Sequence, residues 1–151
     1  MKILNKKEIN EILDKIKEQY GIKELKLDYV FLQNTKDKIL ITNRNIANID
    51  LKKLRVDNIG LYFCSLEKDG IRLSIEGSQL IGKFAKKNIA NLNKEEITKW
   101  MKGEDININE EIEGYVIIKN NDDYFGTGKY KEGKILNFVS KSRRLNVLNQ
   151  E

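Results

Sequence analysis

The sequence predicts an α+β fold in which a helix and two β-hairpins precede a small β-barrel that carries one helix. Three observations support this fold. Apolar residues recur at helical spacing near the amino terminus, strand-like runs then alternate with turns, and similar short runs crowd the carboxy-terminal part. The 151 residues, 40% of them hydrophobic, suffice for one ordinary domain or two small ones without disulfides. We expect a boundary near residue 87, which gives domains at 1–86 and 87–151.

The amino-terminal domain is predicted to open with a helix. Asn5 and Glu8 have the spacing of a capping box, and Gly21 supplies a left-handed stop. Apolar residues between them recur every three or four positions, as they do on one face of a helix. Two predicted hairpins follow, formed by residues 29–33 with 38–42 and by residues 60–66 with 71–75.

Two shorter helices are predicted next. The first begins near Glu76 and places Leu80 and other apolar residues at helical spacing. The second starts at a capping box formed by Asn93 and Glu96 and stops at Gly103. Strand-like runs complete the pattern at residues 106–108, 114–119, 124–130 and 134–139. Short strands at this spacing indicate a small barrel that closes its own edges.

The composition excludes several classes of function. The chain has no histidine, which rules out Ser-His-Asp and Cys-His catalysis and histidine metal ligands. The one cysteine, Cys64, lies in an apolar run and predicts a buried thiol in a reducing compartment, so we expect a cytoplasmic protein. No apolar stretch approaches the roughly twenty residues of a membrane span, and the basic amino terminus lacks a signal-peptide core. We expect no membrane partner, no metal, no cofactor and no catalytic residue.

Positive charge is concentrated toward the carboxyl end. The chain carries 28 basic and 23 acidic residues, a net charge of +5. Residues 87–123 hold 5 basic and 9 acidic side chains, whereas residues 124–151 hold 6 and 2. Arginines of the last segment can fork onto phosphate oxygens, and its lysines supply mobile charges. A solvated charged surface explains the same pattern, and the residues alone leave both interpretations open.

Two glycine-containing motifs are similar to phosphate-binding loops. Residues 77–83 (GSQLIGK) have the spacing of a phosphate-binding loop, but Phe84 follows Lys83 where a magnesium-binding hydroxyl is needed. An amphipathic helix explains this segment, so a small nucleotide-dependent enzyme is only an alternative. Residues 126–129 (GTGK) precede a strand instead of a helix, which favours a bend or a close backbone approach to RNA.

A series of motifs between residues 88 and 145 is more specific than any one of them. A helix with Trp100 ends at Lys102-Gly103, a strand begins at Gly114, a glycine pair stands at 126 and 128, and a basic segment ends at Arg144. In this order they resemble a PUA domain, a small RNA-binding pseudo-barrel. The ending is similar to the PUA-like segment of Sun-family RNA cytosine methyltransferases, with Ser140 where proline is expected.

The amino-terminal half is similar to the pre-PUA domain of the Nip ribosome-biogenesis factors of archaea and eukaryotes. An opening helix and the GLYF run at residues 60–63 carry this similarity. Together the two resemblances imply a pre-PUA α+β domain at 1–86 followed by a PUA pseudo-β-barrel at 87–151. The first domain would then be a scaffold or a docking surface for a protein partner.

The resemblance implies a non-catalytic RNA-binding protein that assists ribosomal RNA processing, assembly or modification. Its expected partners are structured RNA, ribosomal rather than transfer RNA, and an RNA methyltransferase or ribosome-assembly factor, with no DNA. A tRNA-directed accessory role is the alternative. RNA contact falls, on matching positions, to Lys129, Lys134, Lys141, Arg143 and Arg144. Tyr130, which lies between Lys129 and Lys131, is the candidate for contact with a base.

Overall fold

A computed structural model describes residues 1–43 and 60–145, which fold into two five-stranded sheets and three α-helices. The α+β class predicted from the sequence is confirmed. Residues 146–151 of the predicted second domain lie outside the described residues. Among the residues that the structure describes, no helix is long and apolar enough to cross a membrane.

Helix α1 spans Lys6–Tyr20 and has the predicted ends. The Asn5 side chain accepts a hydrogen bond from the Glu8 amide, and the Glu8 carboxylate accepts one from the Asn5 amide, so the capping box is complete. Gly21 ends the helix with a φ of +66°, a left-handed conformation that glycine adopts without strain. The buried face of α1 carries Ile12, Leu13, Ile16 and Tyr20.

The amino-terminal sheet contains the two predicted hairpins and one short additional strand. Its strands run in the order β1-β2-β3-β4-β5, and all neighbours are antiparallel. Their ranges are Lys2–Ile3 for β1, Val30–Gln33 for β2, Lys38–Thr42 for β3, Leu61–Glu67 for β4 and Gly70–Leu73 for β5. The sequence did not predict β1, because a strand of two residues is too short to show an alternation of apolar and polar residues.

The second predicted hairpin ends two residues earlier than expected. Strand β5 stops at Leu73, and helix α2 (Ile75–Ile81) begins at once, followed by a 3₁₀ turn at Gly82–Phe84. The Ser74 side chain explains the switch, because it accepts a hydrogen bond of 2.8 Å from the Gly77 amide. A serine at this position caps a helix start and ends the strand. The predicted strand through residue 75 is therefore wrong by two positions.

The carboxy-terminal sheet has the order β6-β8-β9-β10-β7 and contains one parallel pair, β6 with β8. Helix α3 (Lys94–Met101) connects β6 to β7 and has the predicted capping box at Asn93 and Glu96. The strands span Ile89–Asn91 (β6), Ile106–Asn107 (β7), Tyr115–Asn120 (β8), Asp123–Lys131 (β9) and Lys134–Leu136 (β10).

The predicted barrel differs from the structure in two respects. No ladder of hydrogen bonds joins the outer strands β6 and β7 among the described residues; α3 bridges them and packs on their shared core. The predicted strand at 134–139 also ends early, at Leu136. Asn137 leaves the ladder because its amide donates to Asp105 and its side chain donates to the Trp100 and Glu104 carbonyls.

Two apolar cores lie on opposite faces of β8. Ile117 belongs to the core under α1 and the first sheet, whereas Val116 and Ile118 belong to the core around Trp100. Because all three side chains are fully buried, β8 is covered on both faces. Cys64 is buried in the first core as predicted, and this burial raises the pKa of its thiol.

The junction between the halves is held by backbone groups. The amides of Lys86 and Lys87 donate to the Tyr20 carbonyl at the end of α1, over 2.8 and 3.2 Å. The Asn88 side chain donates to the neighbouring Gln19 carbonyl over 2.8 Å. These bonds satisfy carbonyls that a helix end leaves without partners. Helix α2 also packs against β9, so elements of both halves are in direct contact.

Candidate nucleic-acid interface

Two of the predicted RNA contacts, Lys134 and Lys141, are exposed lysines, and Lys131 lies beside one of them. Lys134 on β10 lies opposite Lys131 on β9, so the two side chains share one face of this hairpin. Lys141 lies in the 3₁₀ turn at Lys141–Arg143. All three are exposed, and none of them has an ion-pair partner among the described residues. We call Lys131, Lys134 and Lys141 the free lysines.

Lys129 and Arg143 are engaged with the amino-terminal half. The Lys129 ammonium pairs with Asp69 in the β4–β5 turn, and the Arg143 guanidinium lies 2.5 Å from the Glu76 carboxylate on α2. Lys129 and the Tyr115 hydroxyl both donate to Asp69, and these hydrogen bonds hold the pKa of that carboxyl below its usual value. These two cations therefore connect the halves and have part of their charge neutralised.

The last two predicted contacts are held by local packing. The Arg144 Nε donates to the Val139 carbonyl over 2.9 Å, and its side chain lies against Gly103, where a Cβ would be 2.4 Å from that Nε. Gly103 also has a φ of +93°, which favours glycine. Tyr130 is half-buried and packs against the carboxy-terminal core, so part of its side chain is covered.

A cleft between the two halves brings together residues that sequence reasoning did not connect. It has a volume of about 190 Å³. Its charged lining comes from Lys38, Arg72, Glu76 and Arg143, and its aromatic lining from Tyr62, Phe125 and Phe138. We call it the composite cleft. In the sheet register Lys38 lies opposite Ser65, and Ser65 lies opposite Arg72, so the two cations flank one serine on the same face.

The segment that resembles a phosphate-binding loop is a helix. Gly77 lies within α2 and Gly82 begins the 3₁₀ turn that follows it. The Gly77 amide donates to Ser74, and the Gly82 amide donates to the Ser78 carbonyl. Both glycines are required by packing, since a Cβ would lie 2.1 Å from the Phe63 carbonyl oxygen at Gly77 and 2.3 Å from the Tyr124 ring at Gly82. The helical interpretation of this segment is confirmed.

Acidic residues do not gather into a metal site in the part of the chain that the structure describes. Asp122 is exposed in the tight turn between β8 and β9, and Asp123 is exposed at the start of β9. Asn121, which precedes them, has a φ of +53°, a value that asparagine tolerates better than most residues. Asp122 and Asp123 are therefore residues of a turn between two strands, a position that favours aspartate and asparagine.

Comparison with protein families assigns the carboxy-terminal half. Residues 87–145 match the family described as the methyltransferase RsmF PUA domain, and this range contains the whole second sheet and α3. No curated protein matches the chain. Residues 1–86 receive no family assignment, so their resemblance to a pre-PUA domain stays a prediction, as does the domain division at 86/87.

Proposed function

We propose that the chain binds structured RNA, from the premise that residues 87–145 match the methyltransferase RsmF PUA domain. The observation that carries the proposal is the set of free lysines on this domain, which are exposed and have no acidic partner among the described residues. Phosphate contacts of this kind position an RNA without reading its sequence. Lys129, Tyr130, Arg143 and Arg144 would border the same RNA.

We propose that the protein acts as an accessory in ribosomal RNA modification and has no catalytic activity of its own. Its PUA domain is of a type named for an RNA methyltransferase, and the chain contains no histidine for acid–base chemistry. A separate methyltransferase or assembly factor would then be the protein partner, in the cytoplasm. A transfer-RNA-directed role is the alternative, and binding measurements on both RNA classes distinguish them.

The test compares two sets of lysines that differ mainly in location. One variant replaces the free lysines Lys131, Lys134 and Lys141 with alanine. The matched control replaces Lys6, Lys15 and Lys23, which are equally exposed on the amino-terminal half. Fluorescence anisotropy with a labelled ribosomal RNA hairpin and a transfer RNA transcript would measure affinity over a series of salt concentrations.

We expect the free-lysine variant to lose affinity on the order of 1–3 kcal/mol and its salt slope to fall by about one per phosphate contact removed. The control variant should lose less, because its lysines alternate with acidic residues and their fields partly cancel within a Debye length of about 8–10 Å. Melting temperatures separate lost contacts from misfolding. A flat salt titration of the wild type, or a larger loss in the control variant, would contradict the proposal.

A further inference from the structure

Aromatic surface is available in the composite cleft. Phe138 is 39% exposed, and the Arg72 guanidinium lies 4.6 Å from the centre of its ring. The Tyr115 ring lies 6.4 Å away at a tilt of 45° and supports Phe138 from within the structure. On the amino-terminal sheet, which also carries Arg72, the Lys38 ammonium lies 5.1 Å from the centre of the Tyr62 ring. Both rings are therefore held in place by a neighbouring cation before any ligand arrives.

Positive charge predominates around these rings. Lys38, Arg72 and Arg143 line the cleft, whereas Glu76 is the one acidic residue in its lining and is already paired with Arg143. The Arg72 guanidinium also lies 3.7 Å from the Glu67 carboxylate, so it forms an ion pair as well as the contact with Phe138. Aromatic rings beside cations are the arrangement by which proteins hold an unpaired strand of nucleic acid.

Two hydroxyl groups in the cleft, those of Ser74 and Thr127, are already committed to backbone groups of the protein. The Ser74 hydroxyl donates to the Tyr62 and Phe63 carbonyls and accepts from the Gly77 amide. The Thr127 hydroxyl donates to the Leu73 carbonyl. Neither side chain is free to read the hydrogen-bonding edge of a base. Binding here would therefore depend on stacking and charge, which tolerate any sequence.

The size of the cleft limits what can enter. Sites for small molecules and cofactors occupy roughly 300–1,000 Å³. At about 190 Å³ the composite cleft is smaller than that and suits a single planar ring.

We infer that the composite cleft is a binding site for one unstacked base of the RNA, with Phe138 as its stacking surface and Lys38, Arg72 and Arg143 as contacts for the flanking phosphates. The inference rests on the proposed RNA binding and adds to it a site that includes the amino-terminal half. A loop, a bulge or a single-stranded end supplies such a base, whereas a continuous duplex does not.

The experiment uses the full chain, a short fluorescein-labelled oligouridine and a labelled RNA duplex. Phe138→Ala should weaken binding of the oligouridine roughly 5- to 150-fold, the range for loss of one stacked base, and leave duplex binding unchanged. Phe138→Leu keeps apolar bulk without an aromatic face and should lose nearly as much. Phe84→Ala is the matched control, because Phe84 is 41% exposed with Lys83 at 5.1 Å from its ring and lies outside the cleft.

The outcomes separate this inference from the proposed function. Equal oligouridine affinity for wild type, Phe138→Ala and Phe84→Ala would overturn the cleft assignment while leaving RNA binding in place. Failure of the wild type to bind either RNA would overturn both. If Phe138→Ala does not fold, crosslinking of the wild type to a 4-thiouridine probe decides the question: adducts on Tyr62 or Phe138 support the site, and adducts confined to other peptides overturn it.

Discussion

The Thr127 hydroxyl on β9 donates a hydrogen bond of 2.9 Å to the Leu73 carbonyl at the end of β5. This bond is buried and joins the two sheets through the residue at which the chain turns from strand into helix. One residue earlier on β9, the Gly126 amide donates to the Ser78 hydroxyl on α2, also over 2.9 Å. The contact between the halves is thus built from satisfied polar groups as well as apolar packing.

Replacing Thr127 with valine should destabilise the protein by about 1–3 kcal/mol, because the buried bond to the Leu73 carbonyl is lost while the shape is kept. Thr127→Ser keeps the hydroxyl and loses only a methyl group, so it should cost less. Urea unfolding monitored by tryptophan fluorescence measures both. A valine variant as stable as the wild type would mean that the bond contributes nothing.

Gly82→Ala should cost about 1–3 kcal/mol through a clash, since the added Cβ would lie 2.3 Å from the Tyr124 ring. The backbone at Gly82 is helical, with φ −54° and ψ −40°, so alanine itself is favoured there. In a Tyr124→Ala background the same change should therefore be neutral or stabilising, as urea unfolding of the single and double variants would show.

Gly133→Ala is the control for this double-mutant cycle. Gly133 has a φ of +83°, and a Cβ added there would have no atom within 4 Å, so its cost is backbone strain alone. That cost should be the same in both backgrounds. Equal costs of Gly82→Ala in the two backgrounds would show that Tyr124 is not the obstacle.

The Asp69–Lys129 pair should make stability fall in acid. The folded carboxyl has a pKa below its ordinary value of 3.8, mainly because Lys129 donates to it, so folding favours the ionised form. The stability difference between wild type and Asp69→Asn should be complete above about pH 4 and be lost as the pH falls through the folded pKa. Because the Asp69 side chain is 46% exposed, this difference should stay below about 1 kcal/mol.

Urea midpoints of the two proteins as a function of pH measure this effect. Replacing Lys129 with alanine should shrink the same pH-dependent difference, because it removes the largest cause of the lowered pKa. A difference that grows as the solution is acidified would have the wrong sign and would contradict the assignment.

We expect no magnesium-dependent binding of ATP or GTP at residues 77–83. The Gly77 and Gly82 amides are used within the helix, and the Lys83 ammonium lies over the Phe84 ring. Titration calorimetry should detect no such binding in the wild type or in Lys83→Ala. Micromolar, magnesium-dependent affinity that Lys83→Ala abolishes would favour the nucleotide-dependent alternative.

Local signals in the sequence predicted most of the elements. Capping boxes at Asn5 and Asn93, and the left-handed Gly21, act through neighbours three or four residues away, so they can be recognised without tertiary information. The early ends of β5 and β10 depend on side chains that compete for backbone groups. Ser74 acts locally, but Asn137 acts through Asp105 and Trp100, more than thirty residues away, which no local pattern reveals.

Of the candidate site, the sequence predicted only the residues that follow from the distribution of charge along the chain. Exposed lysines such as Lys134 follow from the excess of positive charge in the last segment. The pairing of Lys129 with Asp69 and of Arg143 with Glu76 joins residues 60 and 67 positions apart, so it depends on how the sheets meet. Lys38 and Arg72 flank Ser65 because β4 pairs with β3 as well as with β5. The sequence predicted the hairpin of β4 and β5, but it did not predict that β3 pairs with β4.

Three hydrogen bonds fasten residues 86–88 to the last two residues of α1, so the end of this helix and the start of the carboxy-terminal half are joined directly. Under the proposed function, an RNA bound by the carboxy-terminal half would lie at a set orientation to the amino-terminal sheet. A protein partner docked on that sheet would then reach nucleotides at a set distance and angle, so selectivity for a position would arise without reading a base.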